Sequence, residues 1–338
     1  MNKANRVKNA LAHGQTDKVP YNIELTKEME KNIERELSLE AGSFFDWAGN
    51  HIEKCGFETE EEITPGFFKD EYGVVWDRTG MDKDIGTITK MTFDEPEICG
   101  YTFPGVEKEV IKEKCMRFVT KGKDTFKFAK LGMTLFERAW SLRGFENMLM
   151  DLMLEEEFVH ELFTRITQRN MQILDIALEY DFDGVYFGDD YGQQTGLLIS
   201  PDTWRKCVKP YLRILFEKAK TKGKIVCLHS CGNISGILSD LIDIGLDVYQ
   251  TVQPEVYDLK KLKKEFGANL CFYGGISTQR DLPFKTPNEI YSIVKETMRI
   301  LGEGGGYIAA PTHRVTPDTP AANILAMAEV LRKQESLP

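Results

Sequence analysis

Residues 224–252, KIVCLHSCGNISGILSDLIDIGLDVYQTV, contain the pattern from which the fold is predicted. Residues 224–230 form a short apolar run that predicts a buried strand, and residues 246–252 predict another strand. Residues 234–245, which lie between them, predict a helix. A strand, a helix and a second strand in this order indicate a βαβ unit, in which the two strands run parallel in one sheet.

The same alternation extends through the second half of the chain. Further strands are predicted at residues 182–190, 268–276 and 305–311, with helices between them. The other predicted helices cover residues 200–223, 258–267, 286–304 and 320–334. Pro210 falls inside the first of these helices and is expected to kink or split it, because proline cannot donate a backbone hydrogen bond.

The first half is less regular. Strands are predicted at residues 18–24, 72–78 and 125–132, whereas residues 80–124 are expected to form irregular insertions or a small hairpin region. Eight strands in total fit a closed (β/α)8 barrel, the TIM-barrel fold, better than an open sheet. No Gly-x-Gly-x-x-Gly motif follows the first predicted strand, so a dinucleotide-binding domain is not supported. We expect an α/β protein with one TIM-barrel domain over residues 1–338 and with N-terminal excursions.

Composition limits the class of protein. The chain has 338 residues and a formal net charge of −10, which argues against a nucleic-acid-binding surface. No apolar run is long enough for a signal peptide or a membrane span, so we expect a cytoplasmic protein that binds neither membrane nor nucleic acid. The seven cysteines are scattered and form no Cys-x-x-Cys pair, which is a poor disulfide framework.

The ends of the predicted strands carry the candidate site residues. In TIM-barrel enzymes the chemistry lies at the carboxyl ends of the strands. The residues that follow the strands are Glu24, Asp189, Asp190, His229, Cys231, Gln250, Gln253, Gly274, Gly275, Thr312 and His313. Apolar residues could have occupied these turns equally well, so the series indicates a functional site.

His229 and Cys231 are candidate metal ligands. Residues two apart in an extended segment point the same way, so both side chains can face one point above the barrel. Histidine nitrogen and cysteine thiolate are preferred zinc ligands, and a catalytic zinc takes three protein ligands with one open position. His313 is the best third candidate, with Asp189, Asp190 or Glu24 as alternatives or as groups that orient the ligands.

Each of these residues also has a purely structural interpretation. His229 and Cys231 could be packing residues, and the two aspartates could solvate a loop or cap the segment that follows. Gly274 and Gly275 could meet a need of the backbone. Tyr186 and Tyr191, taken one at a time, fit packing as well as ligand contact. The remaining histidines, His13, His51 and His160, lie in polar helical contexts and are expected at the surface.

Several longer motifs resemble one known family. They are LHSCGNI (228–234), VYQTVQPEVYDLKKLKKEFG (248–267), CFYGGISTQRDLPFKTPNEI (271–290) and GGGYIAAPTHRVTPDTPAANILAM (304–327). In this order they resemble the uroporphyrinogen decarboxylase superfamily, above all its corrinoid-dependent zinc methyltransferase branch. The resemblance covers essentially the whole chain and implies a (β/α)8 barrel.

Two differences from that superfamily bear on the reaction. The decarboxylases carry an arginine-rich stretch near the N-terminus that binds the substrate's propionates, and this chain has no such arginines after residue 20. The methyltransferases use His-x-Cys with a later Cys in a Pro-Gly-Cys turn, and here the corresponding turn is Pro311-Thr312-His313. The resemblance therefore implies zinc on His229, Cys231 and His313 and makes decarboxylation the less favoured reaction.

The expected function is methyl transfer between a small molecule and a separate corrinoid (cobalamin) protein, because this chain lacks the Asp-x-His-x-x-Gly corrinoid motif. We expect a methoxylated methyl donor, although the reverse transfer to a thiol or folate acceptor would use the same site. Asp189, Asp190 or Glu24 would handle protons, and Tyr186, Tyr191, Gln250, Gly274 and Gly275 would contact the substrate.

Three matters stay open at this point. A metal-independent decarboxylase or lyase that uses Asp189 and His313 is one alternative function, and a non-catalytic ligand-binding barrel is another. The chain could also form a homodimer.

Overall fold

The computed structural model describes residues 1–80, 83–84, 86–122 and 124–334. The strands are β1 (Ile52–Gly56), β2 (Glu60–Thr64), β3 (Phe67–Asp70), β4 (Val75–Asp77), β5 (Thr87–Lys90), β6 (Phe126–Leu131), β7 (Gly184–Gly188), β8 (Gly192–Gln193), β9 (Gly196–Leu197), β10 (Ile225–His229), β11 (Val248–Val252), β12 (Cys271–Ile276) and β13 (Tyr307–Pro311). The helices are α1 (Lys3–Leu11), α2 (Lys27–Glu36), α3 (Phe44–Ala48), α4 (Lys108–Val119), α5 (Phe136–Arg143), α6 (Phe145–Leu154), α7 (Glu156–Ala177), α8 (Pro201–Cys207), α9 (Lys209–Thr221), α10 (Leu238–Asp243), α11 (Leu259–Phe266), α12 (Pro287–Gly302) and α13 (Ala321–Lys333).

A curled parallel sheet forms the centre of this α/β fold. Its seven strands run in the order β1-β6-β7-β10-β11-β12-β13, and every neighbouring pair is parallel. The six strands from β6 onward fall within the ranges predicted from sequence, which confirms the repeated βαβ pattern of the second half. The predicted split at Pro210 is also confirmed, since α8 ends at Cys207 and α9 begins at Lys209.

The eighth strand of the predicted barrel is not a regular strand. Within the predicted strand 18–24, Tyr21 makes only an isolated parallel bridge to Ala309 of β13. The same segment lies beside the start of β1, where the His51 amide donates to the Tyr21 carbonyl at 3.1 Å. The sheet thus has seven regular strands in the described part of the chain, and a complete eight-stranded barrel is not confirmed.

The insertion begins earlier in the chain than the predicted range 80–124. The predicted strand 72–78 contains β4, but β4 belongs to a separate antiparallel sheet, β2-β3-β4-β5, and not to the parallel sheet. The excursion therefore begins near residue 60, and the predicted insertion at 80–124 contains α4 as well as β5. Residues 81, 82, 85 and 123 of that predicted insertion lie outside the described residues.

Strand β1 was not predicted from the sequence, because two charged residues lie in the middle of the strand. A parallel strand covered on both faces usually has a near-continuous apolar sequence. In β1 the middle of the strand is Glu53 and Lys54. Glu53 accepts a hydrogen bond from the Thr125 hydroxyl, and the Lys54 ammonium lies 2.5 Å from Glu24. These partners exist only in the tertiary fold.

The interior of the curled sheet is a compact apolar cluster with a polar end. Every second strand residue faces this interior, and the buried members are Val7, Ile52, Phe126, Phe128, Tyr186, Cys227, Val248, Cys271, Tyr273, Ile308 and Ala310. One step further along the same faces come Lys130 on β6, His229 on β10 and Gln250 on β11. The polar residues therefore collect at the carboxyl ends of the strands.

None of the helices formed by the described residues has the length and apolar character needed to cross a membrane.

His51 joins the N-terminal segment to β1 and is buried, so its expected surface position was wrong. Its side chain is 2% exposed. Arg6 donates to Nε2 at 2.7 Å, so Nδ1 must carry the proton that is donated to the Tyr21 carbonyl at 3.2 Å. Burial, together with the positive charge of Arg6, lowers the pKa of His51 to about 3. The fold therefore holds this imidazole neutral.

This neutral imidazole predicts acid sensitivity. Because the folded-state pKa of His51 is depressed, its contribution is fully present above the unfolded pKa of about 6.5 and is lost as the pH falls towards about 3. We expect the free energy of unfolding of the wild type to fall by up to about 1.4 kcal/mol per pH unit from this residue. In urea titrations, His51→Gln should be less stable at neutral pH but should lose less stability on acidification. An equal loss in both proteins would contradict this role.

Candidate functional site

The turn after β10 holds His229 and Cys231 on one side and Ser230 on the other. Ser230 is fully buried, its amide donates to the Gln250 carbonyl at 2.6 Å, and its hydroxyl accepts from the Tyr191 amide at 2.9 Å. Gly232 follows with a φ of +76°, and an added Cβ there would collide with the backbone of Gly192. The turn is thus anchored on both neighbouring strands, which leaves the imidazole and the thiol facing the open end of the sheet.

Gln250 sets the orientation of the imidazole. Its Oε1 accepts a hydrogen bond from His229 Nδ1 and another, at 2.6 Å, from the Tyr186 hydroxyl. Since an amide oxygen can only accept, Nδ1 carries the proton and Nε2 keeps a free lone pair. Histidine metal ligands are commonly held in one tautomer by a hydrogen bond of this kind.

Three potential ligand atoms converge at Nε2. The Cys231 Sγ and the Asp190 Oδ1 each lie 3.6 Å from His229 Nε2, and the three atoms all lie within 4.8 Å of one another. Usual zinc bond lengths and a tetrahedral angle place neighbouring N, S and O ligands about 3.4–3.6 Å apart. The residues present therefore fit a zinc ion, and the donor cluster is defined as Asp190, His229 and Cys231.

His313 lies near this cluster but is not one of its three members. It follows β13, its side chain is exposed, and its ring centroid is 6.1 Å from that of His229. Desolvation by surrounding protein atoms and the nearby His229 lower the pKa of His313. Asp190, an alternative ligand in the sequence analysis, is the third member of the donor cluster. The expected role of His313 as the third ligand stays a prediction.

The two adjacent aspartates have different surroundings. Asp189 is fully buried, and its carboxylate accepts hydrogen bonds from the amides of Phe136 at 2.9 Å and Glu137 at 2.7 Å and from the Tyr191 hydroxyl at 2.6 Å. Burial raises the pKa of Asp189 to about 7 in spite of these bonds. Asp189 thus caps the start of α5. Its catalytic role and the substrate contact of Tyr191 stay predictions, and these contacts favour a positioning role for both.

Glu24 is held as a charged partner of Lys54. The ammonium lies 2.5 Å from Glu24 Oε1, which also accepts from the Asn22 side-chain amide at 2.8 Å. Burial alone would raise the pKa of Glu24, but the positive charge of Lys54 outweighs it and lowers the pKa to about 2. A carboxylate with so low a pKa is poorly suited to carry a proton at neutral pH.

Gly274 and Gly275 meet a backbone need. Their φ angles are +129° and +90°, a region that favours glycine. A Cβ on Gly274 would lie 2.8 Å from Thr251 Oγ1 and 2.9 Å from the Val252 amide, and the Gly274 carbonyl accepts from the Tyr307 hydroxyl at 2.8 Å. Substrate contact by the two glycines stays a prediction. The close packing of Gly274 against β11, and of Gly275 against Thr297 of α12 and Tyr307 of β13, supports the structural alternative.

Glu137 is a site residue that the sequence analysis missed. Its carboxylate accepts a hydrogen bond from the Asp190 amide. Burial, and then the charges of Asp190 and Asp189, raise its pKa well above the ordinary value, so it favours the protonated form. Nothing in the sequence marks Glu137, because it lies on α5 and reaches the donor cluster only through the packing of α5 against β7.

The chain belongs to the uroporphyrinogen decarboxylase (URO-D) family, whose model matches residues 132–334, more than half of the chain.

The chain resembles methyltransferases of Methanosarcina barkeri. Over 130 residues it is 30% identical to the methylcobamide:CoM methyltransferase MtaA of Methanosarcina barkeri and 27% identical to the same enzyme of the Fusaro strain. Each alignment covers 38% of this chain and only 36% of the relative. The predicted resemblance to the methyltransferase branch is confirmed by these matches.

A solved structure gives the same fold over almost the full length. A methyltransferase from Methanosarcina mazei superposes with a TM-score of 0.76, covering 99% of this chain and 100% of that protein. The sequence identity is 18%, so this likeness shows the fold alone.

The contacts of Asp189 predict a stability phenotype. Asp189→Ala would remove a cap from two α5 amides and leave the Tyr191 hydroxyl without its acceptor, which should cost about 2–4 kcal/mol of unfolding free energy. The adjacent Asp190→Ala, at a half-buried carboxylate, is the control and should cost clearly less. Urea unfolding measures both, and a smaller loss for Asp189→Ala than for Asp190→Ala would contradict the positioning role.

Proposed function

We propose that the protein is a zinc-dependent methyltransferase that moves a methyl group between a small molecule and a corrinoid carried by a separate protein. The observation that carries the proposal is the donor cluster at the carboxyl end of the parallel sheet. A metal-free decarboxylase has no need of a thiol and an imidazole whose ligand atoms lie 3.6 Å apart. The resemblance to methyltransferases of the same family supports the same conclusion.

Zinc bound at the donor cluster would supply a Lewis acid that stabilises the oxygen or sulfur atom from which the methyl group leaves or to which it is added. His229 would bind through Nε2, because Gln250 holds the proton on Nδ1. Cys231 would bind as a thiolate. Without zinc, burial and the charge of Asp190 raise the pKa of the Cys231 thiol. Zinc uptake would therefore release a proton from this thiol.

Asp190 links the ligands to the proton-carrying group. Its Oδ1 accepts from the Cys231 amide at 2.7 Å, and its own amide donates to Glu137. Burial and the neighbouring carboxylates favour the protonated form of Glu137, which would deliver its proton to an atom beside Asp190. Among the residues predicted from sequence to handle protons, Asp190 is the one that faces His229.

We propose a methoxylated compound as the methyl donor. A donor set with a single thiolate leaves the metal more electrophilic than a set with two, and an oxygen leaving group benefits from a stronger Lewis acid. Such an oxygen also needs a proton when it departs, and Glu137 lies where it can provide one. The corrinoid partner would present its cobalt at the open end of the sheet, in line with the methyl group.

The decarboxylase alternative, which uses Asp189 and His313, receives less support from the geometry. Asp189 is fully buried and already accepts hydrogen bonds from two amides and a hydroxyl. A non-catalytic barrel would not explain why Cys231 Sγ and Asp190 Oδ1 both lie 3.6 Å from His229 Nε2.

The metal prediction concerns stoichiometry. Purified protein should contain about one zinc ion per chain, and His229→Ala or Cys231→Ala should reduce it to near zero. Gln250→Leu should retain zinc but with about 10- to 100-fold weaker affinity, because it removes only the orienting hydrogen bond. Cys99→Ala, which removes an exposed thiol outside the cluster, is the matched control.

Metal analysis and competitive chelator titration measure these effects. A wild-type protein that takes up no zinc after dialysis, or a Cys231→Ala variant with unchanged zinc content, would contradict the metal site.

The reaction prediction concerns cobalt. With a reduced corrinoid protein and a methoxylated aromatic compound, the enzyme should convert cob(I)alamin to methylcobalamin, which is followed by visible absorbance. Glu137→Gln should lower kcat at least about tenfold while zinc content stays unchanged, since it removes the proton but keeps the shape of the side chain. The control is Glu109→Gln on the exposed surface of α4.

Formation of coproporphyrinogen from uroporphyrinogen, without methylation of any of several corrinoid proteins, would replace this proposal with the decarboxylase alternative.

A further inference from the structure

Lys130 places an ammonium group inside the mouth of the curled sheet. On β6 it follows Phe126 and Phe128 on the inward face, both of which belong to the apolar interior. Its partner in register is Tyr186 on β7, and Gly56 of β1 lies on its other side. The residue is half-buried. A lysine at this place cannot extend freely into solvent as lysines on the outer surface do.

The ammonium of Lys130 has no ion-pair partner. Among the described residues no carboxylate oxygen lies within 4 Å of its Nζ, although Lys54 is paired with Glu24 at 2.5 Å and Arg314 with Asp84 at 3.2 Å. The charges of the two neighbouring cations act on it as well. Burial lowers the pKa of Lys130, as expected for a half-buried ammonium without a close counter-ion.

The acid whose charge acts most strongly on Lys130 is Glu58, and it does not complete an ion pair. The charge of Glu58 acts on Lys130, but its carboxylate accepts from the Gly132 amide at 2.5 Å and its side chain is exposed. A half-buried charge without a close counter-ion is unfavourable, so its presence calls for a ligand that completes it.

Lys130 and the donor cluster share the same open end. Strand β7 lies between β6 and β10. The β7 residue that pairs with His229 is Gly188, which has no side chain. A Cβ added at Gly188 would meet the Gly132 Cα at 3.5 Å and the Leu131 carbonyl oxygen at 3.8 Å, which are ordinary contact distances. At this level β7 therefore places no side chain beside His229. Tyr186, the partner of Lys130, stacks its ring on that of His229 at 6.3 Å between centroids.

We propose that Lys130 binds an anionic group of the small-molecule substrate, a carboxylate or a sulfonate, while the methyl-bearing atom faces Asp190, His229 and Cys231. This inference rests on the proposed function, which it deepens by naming the substrate class: a methoxylated aromatic acid. The part of the substrate that joins the two ends would pass beside Gly188, where β7 has no side chain.

The experiment compares three ligands on protein as purified, by isothermal titration calorimetry. They are meta-methoxybenzoate, meta-methoxybenzenesulfonate and the neutral meta-methoxybenzyl alcohol. Wild-type protein should bind at least one anion more tightly than the alcohol. Lys130→Met should weaken anion binding about 10- to 100-fold, the effect of losing one charged hydrogen bond, with little change for the alcohol.

The control variants separate recognition from folding. Lys127→Met removes a lysine from the opposite face of the same strand and should leave the anion preference unchanged. Lys130→Arg should restore most of the preference, because it keeps the charge. Lys130→Met should not lower the melting temperature, since it removes an unpaired half-buried charge, whereas a purely structural lysine would lower it.

The outcomes are distinct. Equal binding of charged and neutral ligands by the wild type, including no binding of any of the three, overturns the inference, as does an unchanged preference in Lys130→Met. A preference for sulfonate over carboxylate identifies the anion within the class. Anion binding that depends on Lys130, without any methyl transfer, would contradict the proposed function alone. Methyl transfer without an anion preference that depends on Lys130 would contradict this inference alone.

Discussion

Every second residue of a strand in the parallel sheet faces the interior, and this constraint decides what fills the interior and what reaches its open end. On β10 the inward series is Ile225, Cys227 and His229, and on β11 it is Val248 and Gln250. The apolar members pack together, and the polar members emerge where the strands end. Because the strands are parallel and in register, His229 and Gln250 are neighbours, and the hydrogen bond between them orients the imidazole.

The same alternation separates the two aspartates after β7. Adjacent residues of an extended segment point to opposite sides. Asp189 therefore meets the amides at the start of α5, where it stabilises the helix, while Asp190 turns towards His229 and Cys231. One carboxylate supports the architecture and the other joins the donor cluster, although the two are identical in chemistry and consecutive in sequence.

Charge is distributed unevenly around the open end. Glu24 and Lys54 neutralise each other, and so do Asp84 and Arg314. The donor cluster and Glu137 bring acidic groups together on one side, whereas Lys130 leaves an unmatched positive charge on another. An elongated ligand with an anion at one end and a methyl-bearing oxygen at the other would match this distribution.

The repeated βαβ units from β6 onward, the division of the helix at Pro210 and the family could be predicted without a structure, because they rest on local periodicity, local breakers and motifs in a given order. The sequence also predicted His229 and Cys231 as candidate ligands, since the spacing of two residues along a strand is enough to align them. Three features became visible only in the folded chain, because their partners are remote in sequence. They are the strand β1 in spite of its charges, the lack of a regular strand at residues 18–24, and the burial of His51. The folded chain also separates the roles of three charged residues. Asp190 joins the donor cluster, Asp189 caps α5, and Lys130 has no ion-pair partner. Such roles depend on which strands and helices meet in space, and a single sequence carries no local signal of that.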